Sequence, residues 1–127
     1  MLRFSIIFAA ISGFIAVALG AFGAHALKTI LPANYIDVWH TAVLYQFIHT
    51  LVILAVASLS PFLQTVWQKR SVLFFMLGIV LFSGSLYILT LVGLGTLGII
   101  TPIGGTCFLI AWLCLAVSII KGKNPKF

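Results

Sequence analysis

Acidic side chains are almost absent from this sequence. Asp37 is the single acid against seven lysine and arginine residues, and 6% of the 127 residues are charged. The chain also has no glycine-rich phosphate loop after a strand and no serine flanked as in a nucleophile elbow. These absences argue against an enzyme, so we expect a non-enzymatic protein without a cofactor.

Cysteine is scarce as well. Cys107 and Cys114 lie within one apolar run, where a helix would hold their Cα atoms about 10 Å apart, beyond the reach of a disulfide. The pair therefore predicts no covalent cross-link.

Hydrophobic residues dominate what is present. They make up 63% of the chain, and the mean hydropathy is +1.30, outside the usual balance of a soluble domain. In a soluble domain the net charge of +6 would suggest nucleic acid, but here the basic residues flank the apolar runs. We expect an integral membrane protein whose main partner is the lipid bilayer, with no nucleic-acid binding.

Four apolar runs are long enough to cross a bilayer as helices. They cover residues 4–27, 37–59, 72–94 and 103–120. A cleaved signal peptide is the alternative for the first run, but this run is longer than a typical signal core. The sequence thus predicts an all-α fold, an integral membrane four-helix bundle that forms a single membrane domain over residues 1–127.

The predicted helix ends carry local signals. Asn34 or Asp37 is expected to cap the second helix, and Thr101, followed by proline, the fourth. Ser83-Gly84-Ser85 is expected to interrupt the third span near its centre.

The basic residues predict the orientation in the membrane. Four spans place both chain ends on one side, and that side receives Arg3, Lys69, Arg70, Lys121, Lys123 and Lys126. Only Lys28 falls on the other side. Because positively charged loops stay in the cytoplasm, we expect cytoplasmic N and C termini and, in a bacterium, a location in the inner (plasma) membrane.

Small residues recur at helical spacing in the first and fourth spans. The two series are Ala9, Gly13, Ala16, Gly20 and Gly23, and Gly104, Cys107, Ala111, Cys114 and Ser118. Small side chains let helix backbones approach closely in lipid, so the first helix is expected to be central. Packing roles are expected for Gly13, Gly20, Gly23, Gly84, Gly104 and Gly105.

Polar side chains near the middle of the second span form the first candidate site. Tyr45, Gln46 and His49 lie within one turn of each other, and Ser83 and Ser85 fall at a similar depth in the third span. Polar groups at this depth are costly and mark functional sites. The alternative is that they serve as structural hydrogen bonds between helices, and the sequence leaves both open.

A second candidate site lies at the outer rim. His25 ends the first helix, and Asp37 and His40 lie at the start of the second. Such a group could bind a metal or respond to pH, but its spacing matches no compact metal motif. We therefore expect no metal; the alternative is that His25 bonds to Asp37 or to backbone at the helix end.

Several blocks of sequence occur together in a known order. They are Gly20-Ala21-Phe22-Gly23-Ala24-His25-Ala26-Leu27, Tyr45-Gln46 with His49, Phe82-Ser83-Gly84-Ser85-Leu86-Tyr87, and Thr101-Pro102-Ile103-Gly104-Gly105 followed by Phe108 and Trp112. This pattern resembles the YgdD-like family of small bacterial inner-membrane proteins. The resemblance implies a four-helix inner-membrane protein and supplies no catalytic role. It includes His25, Gln46 and His49 but leaves out His40.

Taken together, these features predict a protein that acts by binding. The leading interpretation is an accessory or interaction protein, paired with another membrane protein or with copies of itself. The alternative is a small-solute or proton-linked transporter or channel-like protein that uses Gln46, His49, Ser83 and Ser85 as a path. A third, weaker interpretation is an enzyme acting on lipid or quinone.

Overall fold

The structure is a computed structural model that describes residues 1–93 and 95–123. Its α-helices are α1 (Leu2–His25), α2 (Ala33–Ser58), α3 (Thr65–Gly78), α4 (Gly84–Val92) and α5 (Ile100–Ile120). A π-helical segment, Ile79–Ser83, joins α3 to α4. Short 3₁₀ turns occupy Leu27–Thr29, Ser60–Phe62 and Gly95–Ile99.

These elements form four helical stretches that are long and apolar enough to cross a membrane, and we call them spans 1 to 4. Their bounds are Leu2–Thr29, Ala33–Ser58, Thr65–Val92 and Gly95–Ile120. The predicted all-α membrane fold is confirmed. Leu94 and Lys126, which the sequence assigned to the third span and to the basic set, lie outside the described residues.

The helices begin earlier than the capping signals indicated. Span 2 starts directly after Pro32, whose φ of −58° fits a helix entry, so Asn34 and Asp37 lie inside the helix and cap nothing. Thr101 lies inside α5, which begins at Ile100, and its hydroxyl contacts Ser85 instead. Both cap predictions are wrong because the chain turns before these polar residues.

The third span is continuous where an interruption was expected. The π-helical segment ends at Ser83 and α4 begins at Gly84. A widened helical turn therefore leads into the Ser-Gly-Ser triplet, and the helix does not break there. Next to this turn, a Cβ at Gly104 would collide with the backbone of Phe82. Glycine at this position is what lets α5 approach so closely.

Two antiparallel helix pairs provide most of the packing. One pair is α1 with α2, and the other is α3 with α5; α2 also contacts the π-helical segment and α4. The central hydrophobic cluster includes Ile53, Phe75 and Ala111, all of which are fully buried. Span 2 therefore links the first span to the rest of the bundle.

Span 1 is peripheral, and the prediction that it is central is wrong. In its most apolar stretch 22% of the residues are buried, against 39% in spans 2 and 3. Its small residues provide a contact face mainly for α2, while Phe4, Phe14 and Val17 point outward. One side of span 1 therefore remains open toward span 3.

The predicted packing glycines differ in their surroundings. A Cβ at Gly23 would meet the Trp39 ring at 2.5 Å, and Cβ atoms at Gly13 and Gly20 would touch span 2 at 3.7 and 3.4 Å. A Cβ at Gly105 would lie 3.8 Å from the Phe82 side chain. A Cβ at Gly84 would meet nothing within 4 Å. Gly84 therefore makes no close helix contact, and its predicted packing role is wrong.

The basic residues gather at one end of the bundle. Arg70 and Lys121 both lie over the Trp67 ring, at 4.7 and 5.6 Å from its centre, and the backbone N–H of Lys123 donates to the carbonyl of Phe62. Lys28 lies in the connection at the opposite end. This asymmetry supports cytoplasmic termini, and the orientation stays a prediction.

Candidate functional site: a lateral groove with a polar floor

A groove opens on the side of the bundle where span 1 stands apart from span 3. Its volume is about 320 Å³, within the range of small-molecule sites. We call it the central groove, and it is lined by Phe8, Ile11, Ser12, Ile15, Leu19, Gln46, Ile79, Val80, Ser83, Gly84 and Tyr87. Its walls are mostly apolar, and its polar residues belong to three different spans.

Gln46 is the centre of the polar floor. Its Nε2 donates to the carbonyl oxygen of Ser12 at 3.0 Å and to the Ser12 hydroxyl at 3.3 Å. Its Oε1 accepts from the Tyr87 hydroxyl at 2.7 Å, and Ser12 pairs in turn with Thr50 at 2.7 Å. One side chain, midway along span 2, thus joins spans 1, 2 and 3.

The donors and acceptors in the hydrogen bonds of Gln46 follow from the backbone carbonyl of Ser12. A backbone carbonyl can only accept, so the amide nitrogen of Gln46 must face Ser12 and its oxygen must face Tyr87. Because that oxygen can only accept, the Tyr87 hydroxyl must donate to it. The direction of each hydrogen bond that Gln46 makes is therefore determined, whereas either hydroxyl can be the donor in the Ser12–Thr50 pair.

Trp39 closes the end of the floor nearest the connection between spans 1 and 2. It is 1% exposed, its Nε1 donates to the carbonyl of Leu19 at 2.9 Å, and its ring lies 4.7 Å from that of Tyr87. Gly23 leaves the space that takes this ring inside the bundle. Trp39 thereby holds Tyr87 above Gln46.

Ser83 lines the groove from the end of the π-helical segment. Its hydroxyl donates to the carbonyl of Ala42 at 2.7 Å, and the residue is 1% exposed. Ser83 and Tyr87 are four residues apart on one face of span 3, and both hydroxyls donate to span 2. Of the predicted midplane residues, the structure brings together Gln46 and Ser83 in this groove.

His49 and Tyr45 face a different part of the bundle. His49 stacks on Phe108 with ring centres 3.7 Å apart, and its Nδ1 donates to the carbonyl of Tyr45 at 2.7 Å. The Tyr45 ring stacks on Phe82 at 4.5 Å. His49 therefore packs in an aromatic cluster against span 4 and does not line the groove.

Ser85 also points away from the groove. Its hydroxyl pairs with Thr101 on span 4 at 2.8 Å and donates to the carbonyl of Phe82 at 3.0 Å. The five predicted midplane residues are thus divided between the groove, the aromatic cluster and a contact between spans 3 and 4.

The three predicted rim residues do not form a cluster. His25, Asp37 and His40 are all exposed. Among residues 1–93 and 95–123, no three His, Cys, Asp or Glu side chains lie close enough to hold a metal ion. Nothing in their arrangement gathers them around a common ligand.

Sequence reasoning missed both hydrogen-bond partners of Gln46. Ser12 is an isolated polar residue in the first apolar run, and Tyr87 lies one turn after Ser83. Both were visible as polar groups inside spans, which is itself a signal. What the sequence could not give was the pairing across helices, because it depends on how the spans pack.

The fold defines a small multi-pass membrane protein, and the central groove lies on its side. The family model "Protein of unknown function (DUF423)" matches residues 19–105. The UPF0382 inner membrane protein YgdD of Escherichia coli K12 is 47% identical over 122 residues, which cover 96% of this chain and 93% of that protein.

Two further relatives agree with this match. The UPF0382 membrane protein YwdK of Bacillus subtilis is 45% identical over 91% of this chain and 95% of its own length. A UPF0382 membrane protein of Haemophilus influenzae is 46% identical over 91% of this chain and 92% of its own length. No solved structure matches.

The chain therefore belongs to the DUF423/UPF0382 family of membrane proteins. The predicted family resemblance and the inner-membrane location are confirmed.

Proposed function

We propose that this protein acts by binding and not by catalysis, as a small accessory protein of the inner membrane that holds a membrane-embedded partner in the central groove. The observation that carries the proposal is the groove itself. Protein interiors are close-packed, and voids larger than a water molecule are few. A lateral opening of about 320 Å³ over a buried polar floor is the kind of space that a partner fills.

Gly84 supports this proposal because it keeps the groove open. It lines the groove, and a Cβ at this position would meet nothing within 4 Å. Glycine in a helix costs up to about 1 kcal/mol relative to alanine. An alanine side chain would fit here without a clash and would favour the helix. The use of glycine is explained if the open space serves to bind a partner.

The chemistry of the floor supports binding over catalysis. Gln46, Tyr87 and Ser83 are neutral groups that hydrogen-bond to protein. The only acid of the chain, Asp37, is exposed in the second turn of span 2. The groove therefore presents no carboxylate for acid–base work.

Site-directed photo-crosslinking in native membranes tests the proposal. A photoreactive amino acid at Ile15 lies in the groove, and the same group at Phe14, which is 76% exposed on the neighbouring face, is the matched control. We expect one discrete adduct from position 15, absent from position 14 and absent when Gly84→Leu fills the groove. Adducts that are the same at both positions and in both backgrounds would contradict it.

The mass of the adduct identifies the kind of partner. A multiple of the 13.8 kDa chain would indicate a homo-oligomer, another protein mass an interaction partner, and a small addition a lipid-like molecule. All three are binding functions.

A transport function is the second candidate, because a second cavity lies along the same boundary between spans 1 and 3. It measures about 200 Å³ and is lined by residues that include Ser5, Gln68 and Lys69. The two cavities share no lining residue, and on span 1 Ile6 and Ile7 separate them in sequence. Proton flux into proteoliposomes that stops in Gly84→Leu, whose side chain fills the central groove, would support a path, and flux no greater than in empty liposomes would remove it.

A further inference from the structure

The geometry points to a lipid alcohol as the occupant of the central groove: an amphiphile whose hydroxyl donates to the oxygen of Tyr87 or of Ser83 while its tail lies along span 1. This inference rests on the proposed binding function and names the chemical class of the partner.

The polar hydrogens of Gln46, Tyr87 and Ser83 are already engaged in hydrogen bonds within the protein. Both Nε2 hydrogens of Gln46 are directed to Ser12, the Tyr87 hydroxyl donates to Gln46, and the Ser83 hydroxyl donates to the carbonyl of Ala42. These three side chains therefore offer a ligand no free donor. A ligand carbonyl or ether oxygen would find no partner among them.

The oxygens of the same groups keep the capacity to accept. A hydroxyl oxygen has two lone pairs in addition to its hydrogen, so Tyr87 and Ser83 can each accept a bond while they donate to span 2. Both residues line the groove. Tyr87 and Ser83 thus favour a ligand that brings its own donor, and in an apolar site an unmatched polar group is costly.

The walls favour a hydrocarbon tail and entry from the bilayer. Ile11, Ile15 and Val80 line the groove and are also 55%, 41% and 57% exposed. The apolar walls thus continue onto the surface that faces lipid. An amphiphile diffusing in the membrane can place its hydroxyl on the floor without leaving the hydrocarbon layer.

Competition for a photoreactive lipid alcohol tests this inference. The purified full chain in nanodiscs is labelled with diazirine-hexadecanol, and unlabelled hexadecanol competes against hexadecyl methyl ether, which has the tail but no donor. We expect the ether to compete about fivefold less well, as for the loss of one neutral hydrogen bond. Equal competition by the two compounds would overturn the inference.

A matched pair of double variants locates the acceptors. Tyr87→Phe with Ser83→Ala, made in the Gln46→Leu background so that the Gln46 oxygen does not become a new free acceptor, removes the two groove hydroxyls and should abolish the preference for alcohol over ether. Tyr45→Phe with Ser85→Ala removes the same atoms outside the groove and should leave the preference intact. A preference retained in the first variant would place the acceptor elsewhere and overturn the inference.

The outcomes separate this inference from the proposed function. If the Ile15 adduct forms and is lost in Gly84→Leu while alcohol and ether compete equally, the groove binds a partner of another class. If no adduct specific to the groove forms, the proposed function fails as well.

Discussion

Gln46 illustrates how a polar side chain is stabilised within a membrane. Both ends of its amide are paired, to Ser12 and to Tyr87, because lipid offers no water to replace a missing partner. The consequence is that the side chain holds three spans in one arrangement. Its partners should therefore depend on each other energetically.

A double-mutant cycle on Gln46 and Tyr87 measures that dependence. Gln46→Leu strands the Tyr87 hydroxyl, so it should destabilise the protein more in the wild-type background than in Tyr87→Phe. Hydrogen bonds between membrane helices average about 0.6 kcal/mol and reach about 1.7 kcal/mol, and we expect a coupling in this range. Unfolding in mixed micelles gives the four free energies, and strictly additive effects would contradict the hydrogen bond.

Two glycines in neighbouring spans should respond oppositely to the same change. Gly104→Ala places a Cβ against the backbone of Phe82, and such overpacking costs about 1–3 kcal/mol. Gly84→Ala meets open space and should gain up to about 1 kcal/mol from helix propensity. Thermal unfolding in detergent compares the two, and a loss of stability in Gly84→Ala would show that this site is packed.

The sequence identified some of these residues and not their roles. Gln46 and Ser83 were predicted to share a site because both are polar and lie at similar depth. His49 and Ser85 were placed in the same site on the same grounds, yet their side chains face span 4. Depth follows from counting along a helix, but the direction of a side chain depends on packing and on the π-helical turn.

At the scale of elements, span 1 depends on a single neighbour. It packs almost entirely on α2, and Gly23 fits beneath the Trp39 ring at the outer end of that contact. Disturbing this contact should loosen span 1 and leave the pair formed by α3 and α5 in place.

Gly23→Val tests this local dependence with tryptophan fluorescence. With Trp39 as the only tryptophan, the variant should lower the temperature of its transition, because the added side chain displaces the ring. With Trp112 as the only tryptophan, which reports on α5, the transition should shift less. Equal shifts at both reporters would mean that the bundle unfolds as one unit.

The helix bounds show where sequence signals are sufficient. Apolar length predicted the existence and order of all four spans, because a membrane requires that length. The capping signals at Asn34, Asp37 and Thr101 failed, because Pro32 and the turn before Ile100 start the helices earlier. The π-helical segment had no recognised signal beyond the Ser-Gly-Ser triplet.

At the scale of the whole molecule, the distribution of charge predicts the topology. Lys123 lies at the basic end of the bundle and Lys28 at the other end. An impermeant thiol reagent applied to intact cells should therefore label Lys28→Cys. It should not label Lys123→Cys until the membrane is opened. The native Cys107 and Cys114 are buried and provide the unlabelled background. The reverse pattern would place the termini outside.

The fold class and the membrane location could thus be predicted from composition and periodicity, and the groove could not. It exists because span 1 packs on one side only, contrary to the central position predicted from its small residues. A series of small residues indicates close packing but not the number of neighbours.

Native mass spectrometry of gently extracted protein shows directly whether a partner is held in the central groove. We expect the wild-type chain and Gly84→Ala to carry added mass above 13.8 kDa. Gly84→Leu, whose side chain fills the groove, should show the mass of the chain alone and be equally well folded. The same mass on all three proteins, or bare chains throughout, would contradict a partner held in the central groove.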